Sequence, residues 1–149
     1  MLVTKDEHGG SWVVSSVGRK GFRTELVARS HHYIADEPVA LGGTDAGATP
    51  YEYLLMALGS CTAMTLRMYA DRKSWPLERA EVSVRQARLH AVDCENCATD
   101  TVGIERIERR IELEGSLTDE QRKRLLAVAE RCPVKQTLGK EIRVETVGA

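Results

Sequence analysis

The stretch Thr49-Pro-Tyr-Glu-Tyr-Leu-Leu-Met-Ala-Leu-Gly-Ser-Cys61-Thr-Ala-Met-Thr-Leu-Arg67 contains no charged residue between its glutamate and its final arginine. Its apolar residues recur at steps of three and four, which predicts a helix. A helix that is apolar on nearly all sides is normally buried, so we expect this one at the centre of the fold. It is too short, and too rich in Gly, Ser and Thr, for a membrane span of about 20 apolar residues.

The start of this central helix is marked by its first residues. Thr49 suits the N-cap position, and Pro50 suits the first helical position. Glu52 lies three residues after Thr49, which completes a capping box. Capping alone explains Glu52. Cys61 follows about two and a half turns later, near the middle of the helix.

Length and composition indicate one soluble globular domain over residues 1–149, with 42% apolar and 29% charged residues. The formal net charge of −1 gives no electrostatic reason to expect nucleic acid or an anionic membrane as a partner. The first twelve residues contain Lys5, Asp6 and Glu7 and no apolar core, so they do not resemble a signal peptide. We therefore expect a cytoplasmic protein.

The rest of the chain alternates between strand and helix signals, and the predicted class is α+β with mainly antiparallel sheets around the buried central helix. Apolar and polar residues alternate with period two in the predicted strands. The last helices begin at a second capping box, Thr118 to Gln121, and at Pro133. We predict strands at 10–17, 22–28, 31–34, 80–91, 104–113 and 141–147, a loop at 36–49, and helices at 50–73, 118–131 and 133–138.

Two isolated cysteines stand in different settings. Burial in the central helix raises the pKa of Cys61 and makes it inert unless a cation lies near. Arg19 and Arg23, in and beside the turn of the first predicted hairpin, are the candidate cations, and Glu52 could hold one of them in place. Cys132 precedes Pro133 at a helix start, where backbone amides favour a thiolate.

The other two cysteines form a Cys94-Glu-Asn-Cys97 motif in a polar segment. Such a pair is half of a zinc site, to which Cys61 and Cys132 could add the remaining thiolates, or it is a redox dithiol. A third reading is a loop without thiol chemistry. The residues leave these alternatives open. No His and Asp pattern typical of a hydrolase is present.

Two segments together resemble signatures of the OsmC/Ohr family, named after osmotically inducible protein C and organic hydroperoxide resistance protein. Residues 42–65, Gly42-Gly-Thr-Asp-Ala-Gly-Ala-Thr-Pro-Tyr-Glu-Tyr-Leu-Leu-Met-Ala-Leu-Gly-Ser-Cys61-Thr-Ala-Met-Thr, are similar to its central-helix signature. Residues 129–138, Ala129-Glu-Arg-Cys132-Pro-Val-Lys-Gln-Thr-Leu, are similar to its second signature. The extra Cys94–Cys97 pair indicates a separate branch.

The resemblance implies an intertwined homodimer and a thiol peroxidase that needs no metal or cofactor and reduces organic hydroperoxides to alcohols. By this resemblance Cys61 is the peroxidatic cysteine, Cys132 the resolving cysteine, and Glu52 the carboxylate that orients an arginine. Arg19 fits that arginine best, with Arg23 as the reserve. The implied partners are an organic hydroperoxide and an external dithiol reductant of the lipoyl type. The alternative function is a zinc- or thiol-binding, stress-associated protein without turnover.

Overall fold

The computed structural model describes residues 12–89 and 104–148, and the chain divides after Leu54 into two compact units. The first unit contains an antiparallel sheet of three strands in the order β1-β2-β3. Their register pairs Val17 with Thr24 and Ala28 with His31, so both connections are hairpins. The bounds are β1 (Val13–Val17), β2 (Thr24–Ala28) and β3 (His31–Ala35), which agree with the three predicted strands.

The loop after β3 is organised by the side chain of Asp36, which is only 2% exposed. Its carboxylate accepts hydrogen bonds from the backbone N–H groups of Glu37 at 2.9 Å, Thr44 at 3.0 Å and Ala46 at 3.2 Å. The Thr44 hydroxyl donates a further hydrogen bond at 2.5 Å. The Thr44 hydroxyl bond, opposed by burial and helped by the three amides, lowers the pKa of Asp36 to about 2.

Two glycines allow this loop to close. A Cβ atom at Gly43 would lie 1.8 Å from the carbonyl oxygen of Glu37, and one at Gly47 would lie 2.1 Å from that of Ile34. No side chain fits at such distances, so both positions require glycine. The loop also contains one turn of 3₁₀ helix, Val39–Leu41, within the predicted irregular segment.

The central helix α1 (Pro50–Arg72) begins at the predicted capping box. The Thr49 N–H donates to the Glu52 carboxylate at 2.7 Å, and the Glu52 N–H donates to the Thr49 hydroxyl at 3.3 Å. The Tyr53 hydroxyl donates to the Ile34 carbonyl at 2.6 Å. This bond ties the first turn of α1 to β3. No helix of the described residues is long and apolar enough to cross a membrane.

The second unit packs helices against a two-stranded antiparallel sheet. Its elements are most of α1, β4 (Arg79–Leu89), β5 (Ile104–Glu114), α2 (Asp119–Ala129) and α3 (Pro133–Leu138). A Cβ atom at Gly59 would meet the Val84 side chain at 3.4 Å, so α1 approaches β4 closely at this point. The core joins buried residues of α1, α2 and the segments between them: Leu66, Ala70, Leu77, Leu117, Leu125 and Ala129.

Within one chain, α1 is buried along one face rather than on all sides. The buried face carries Leu58, Thr62 and Leu66, and it packs against the second unit's sheet and α2. Met64 and Met68, on the opposite side, are exposed. The apolar sequence of the helix therefore reflects two faces, one in the core of the second unit and one that residues 12–89 and 104–148 leave exposed.

The predicted strand at 141–147 is wrong, because residues 141–148 have no regular secondary structure. An extended segment becomes a strand only when its backbone hydrogen bonds to a neighbour. No strand in residues 12–89 or 104–148 pairs with this segment, and Ile142, Val144 and Val147 are exposed. The Cys94–Cys97 segment lies outside the described residues.

We predict that Asp36→Asn removes an acid-sensitive part of the free energy of unfolding. The pKa of Asp36 falls from 3.8 to about 2 on folding, so the stabilisation is complete above 3.8 and is lost as the pH falls through about 2. Urea unfolding between these pH values should show a smaller dependence on pH for Asp36→Asn than for the wild type. Asp45→Asn is the matched control, since Asp45 is exposed in the same loop. An unchanged pH dependence in Asp36→Asn would contradict this account of the loop.

Candidate functional site

The structure brings two cysteines that are distant in sequence into contact within the second unit. Cys61 lies in the middle of α1, and Cys132 is the N-cap residue of α3. Their side chains are near enough for each thiol to shift the pKa of the other, and both are free thiols. Pro133 occupies the first position of α3, as the sequence predicts.

The two thiols differ in their access to solvent. Cys61 is partly exposed, because it lies on α1 between the buried face and the uncovered face. Cys132 has no exposed surface. A dissolved reagent therefore meets the Cys61 sulfur first.

The two thiols also differ in charge preference. Burial, and then the hydrogen bond to Cys132, raise the pKa of Cys61. Burial also raises the pKa of Cys132, but hydrogen bonds from Cys61, the Lys135 amide, Thr62 and the Val134 amide outweigh it and lower the pKa overall. Cys61 is thus the donor of the pair and Cys132 the acceptor, in agreement with the opposite directions expected from the sequence.

A threonine and an arginine that the sequence analysis did not single out complete this group. Thr62, directly after Cys61, is completely buried; its hydroxyl donates to the Leu58 carbonyl at 2.8 Å and lowers the pKa of Cys132. Arg109 of β5 donates to the Thr62 hydroxyl at 2.9 Å. The sequence carried a signal for Arg109, because period two places it on the same face of β5 as Ile107 and Ile111. A charged residue at a core-facing position needs a specific set of partners.

Arg109 has those partners. It donates to the Ala129 carbonyl at 3.1 Å and to the Glu130 carboxylate at 2.7 Å. Lys135 also contacts Glu130, at 2.9 Å, and this bond is the main cause that lowers the pKa of Glu130. The group borders a cleft of about 450 Å³, lined by Leu58, Ile107, Arg109, Glu130, Lys135, Leu138 and Gly139.

The other predicted site residues belong to the first unit. Arg19 is exposed in the turn between β1 and β2, and Glu52 makes the capping box described above. Arg23 is exposed and contacts Glu25 at 3.3 Å. The roles of Arg19, Arg23 and Glu52 at the thiol pair stay predictions.

A metal site is not formed by the described part of the chain. No group of three or more His, Cys, Asp or Glu residues there could hold a metal ion. Cys94 and Cys97, which the zinc alternative requires, lie outside these residues. The arrangement that is described, two free thiols in contact with only one reachable from solvent, is suited to two-electron oxidation to a disulfide.

Comparison with known proteins identifies a family and solved structures of the same fold. Residues 43–147 match the OsmC-like protein family, whereas no curated protein matches the sequence. Three solved structures share the fold. An OsmC-like protein from Mycoplasma pneumoniae is 19% identical, with 85% of each chain covered and a TM-score of 0.68. An organic hydroperoxide resistance protein from Legionella pneumophila is 16% identical, with 85% of this chain and 88% of that chain covered and a TM-score of 0.61. The organic hydroperoxide resistance protein OhrB of Bacillus subtilis is 17% identical, with 85% and 87% covered and a TM-score of 0.58.

Proposed function

The chain belongs to the OsmC-like protein family, and from this premise we propose that it is a cysteine peroxidase that reduces organic hydroperoxides to alcohols. The observation that carries the proposal is the contact between the free thiols of Cys61 and Cys132. Relatives named as organic hydroperoxide resistance proteins support the substrate class. The cycle suits the cytoplasm, where thiols are kept reduced between turnovers.

The first step is oxidation of Cys61. Its partial exposure supports its assignment as the sulfur that meets the peroxide. The Cys61 thiolate attacks the distal oxygen of the hydroperoxide, the O–O bond breaks, and Cys61 becomes a sulfenic acid. The departing alkoxide takes up a proton and leaves as the alcohol.

The second step is formation of a disulfide. The Cys132 sulfur attacks the Cys61 sulfenic acid, the S–O bond breaks, and water leaves with the Cys132 proton. The proximity of the two thiols, each of which shifts the pKa of the other, supports this step. An external dithiol, of the lipoyl type, then returns both cysteines to thiols and becomes a cyclic disulfide.

Activation of Cys61 requires its proton to leave. Its hydrogen bond to Cys132 offers one route, in which Cys132 accepts the proton. A guanidinium beside the sulfur would favour the Cys61 thiolate further, and we assign that group to Arg19, with Glu52 as the carboxylate that orients it. The Arg19 assignment rests on its position, because the family resemblance implies an arginine in the N-terminal hairpin turn. The Glu52 assignment rests on the resemblance of the helix start.

The protein is proposed to act as a homodimer. Met56, Met64 and Met68 are exposed along one side of α1, and Ser60 lies among them. A second copy would bury this apolar stripe, which an isolated chain leaves in water. Sedimentation at twice the mass of the chain would support the dimer, and a monomer at assay concentrations would remove it.

We predict different effects from replacing each cysteine. Cys61→Ser should abolish turnover of an organic hydroperoxide, because no sulfur remains to attack it. Cys132→Ser should permit one oxidation per chain and accumulate a sulfenic acid, which a dimedone label detects by mass spectrometry. Full peroxide turnover in Cys61→Ser would exclude Cys61 as the peroxidatic cysteine and end the proposed mechanism. No turnover by the wild type, together with about one bound zinc per chain, would favour the zinc- or thiol-binding alternative.

We predict that Arg19→Ala slows oxidation of Cys61 by roughly tenfold to a thousandfold, as expected for loss of a cation that stabilises a thiolate. Arg23→Ala is the matched control from the same hairpin. It should change the rate by no more than about twofold, since its described contact is an exposed ion pair with Glu25. Stopped-flow loss of thiol on mixing with hydroperoxide measures both rates. A larger effect for Arg23 would reassign the role to it, and no effect for either would exclude the hairpin as the source of the cation.

A further inference from the structure

The hydroxyl of Thr62 lies between Arg109 and Cys132 and has only one proton to donate. Its oxygen accepts a hydrogen bond from Arg109 Nη1 at 2.9 Å, and a guanidinium can only donate. The hydroxyl proton is donated to the Leu58 carbonyl at 2.8 Å, and the Cys132 sulfur, whose pKa Thr62 lowers, is its alternative acceptor. A negative charge on Cys132 would draw this proton away from the carbonyl, because hydrogen bonds to charged acceptors are stronger.

Arg109 is held firmly in the position that this arrangement needs. Its side chain is only 11% exposed. The Ala129 carbonyl and the Glu130 carboxylate fix the guanidinium beside Thr62, and Ala129 itself is completely buried. A cation that donates to a hydroxyl oxygen makes the hydroxyl a better donor on its other side. Arg109 thus acts on Cys132 indirectly, by making the Thr62 hydroxyl a stronger hydrogen-bond donor.

We propose that Arg109, acting through the Thr62 hydroxyl, stabilises the Cys132 thiolate and so makes Cys132 the leaving sulfur when a dithiol reduces the Cys61–Cys132 disulfide. Arg109 is then a positioning residue of the resolving half of the cycle. The part that concerns disulfide reduction rests on the proposed function. The interaction of Arg109, Thr62 and Cys132 does not, so it can be tested separately.

Reduction of the Cys61–Cys132 disulfide by a dithiol takes two exchanges. A thiolate of the dithiol attacks the Cys61 sulfur, which is the reachable one, and a bond forms between these two sulfurs. The Cys61–Cys132 bond breaks, and its electron pair stays on Cys132, where the Thr62 proton stabilises the charge. The second thiol of the reductant then attacks its own first sulfur and releases Cys61 as a thiolate. A disulfide breaks faster when its leaving sulfur is the more stable thiolate.

The first experiment follows ionisation of Cys132 by its ultraviolet thiolate absorbance, in the full chain carrying Cys61→Ser. Subtracting the same titration of the Cys61→Ser, Cys132→Ser chain removes the contribution of Cys94 and Cys97. Arg109→Gln and Thr62→Val should each move the ionisation of Cys132 to higher pH. Thr62→Ser, which keeps the hydroxyl, should stay near the parent chain, and Arg109→Lys should recover part of the effect because it keeps the charge.

Arg110→Gln is the matched charge control. Arg110 is exposed on the opposite face of β5. Its replacement by Gln changes the net charge of the chain as much as Arg109→Gln does. Arg110→Gln should not change the pH at which Cys132 ionises. If Arg109 acts through Thr62, Arg109→Gln should add little in a chain that already carries Thr62→Val.

These titrations overturn the inference if Arg109→Gln shifts nothing, if its full effect persists beside Thr62→Val, or if Arg110→Gln has an equal effect. Should Arg109→Gln fail to fold, the comparison of Thr62→Val with Thr62→Ser decides, because an identical titration in both excludes a role for the hydroxyl. None of these results depends on peroxidase activity.

The second experiment measures how fast dithiothreitol reduces the chemically formed Cys61–Cys132 disulfide. Arg109→Gln should slow this reaction by about tenfold, the change expected when a leaving thiolate loses a charge-supported hydrogen bond. Arg110→Gln should leave it unchanged. An unaltered rate in Arg109→Gln would remove the proposed role in reduction even if the titrations support the interaction with Thr62.

Discussion

The contact between the Cys61 and Cys132 sulfurs is the interaction on which the rest of the second unit's site depends. It exists because two helices are fixed relative to each other with little freedom. Gly59 lets α1 lie close to β4, and Leu66 packs with Leu125 of α2 in the core. Cys132 follows α2 after two residues, so packing of α2 against α1 also sets the position of its sulfur.

The environment gives the two sulfurs different properties, and this difference is what a two-cysteine cycle needs. In the proposed cycle the sulfur that meets the peroxide must be reachable, and Cys61 is the partly exposed one. The other sulfur forms the disulfide and is later released from it as a thiolate. Interactions that lower its pKa favour that release, and Thr62 and two backbone amides lower the pKa of Cys132. Burial protects Cys132 from direct oxidation, and hydrogen bonds offset the effect of burial on its charge.

Local signals in the sequence were sufficient for much of the fold. The capping boxes at Thr49 and Thr118 form as predicted, because they involve residues only three positions apart. The strand prediction at 141–147 was wrong. Alternation of apolar and polar residues shows which side chains share a face, but it does not show whether another strand is there to pair with. The carboxylate of Asp36 organises its loop through residues up to ten positions away, which no local pattern reveals.

The site was predicted unevenly for the same reason. The pairing of Cys61 with Cys132 came from the resemblance of two short segments to one family, since spacing alone left zinc and redox alternatives open. Arg109 was overlooked although its place among core-facing residues of β5 is visible in the alternation. Its partners, Thr62 and Ala129, come from other elements, so only the folded chain shows that its guanidinium is held beside Thr62.

The most direct measurement is a map of disulfides in the full chain after one equivalent of an organic hydroperoxide. The chain contains four cysteines, so Cys94 and Cys97 serve as internal competitors for oxidation. The account predicts that peptides containing Cys61 and Cys132 are linked first, while Cys94 and Cys97 stay reduced. A first disulfide between Cys94 and Cys97, or a chain in which no cysteine is oxidised, would contradict it.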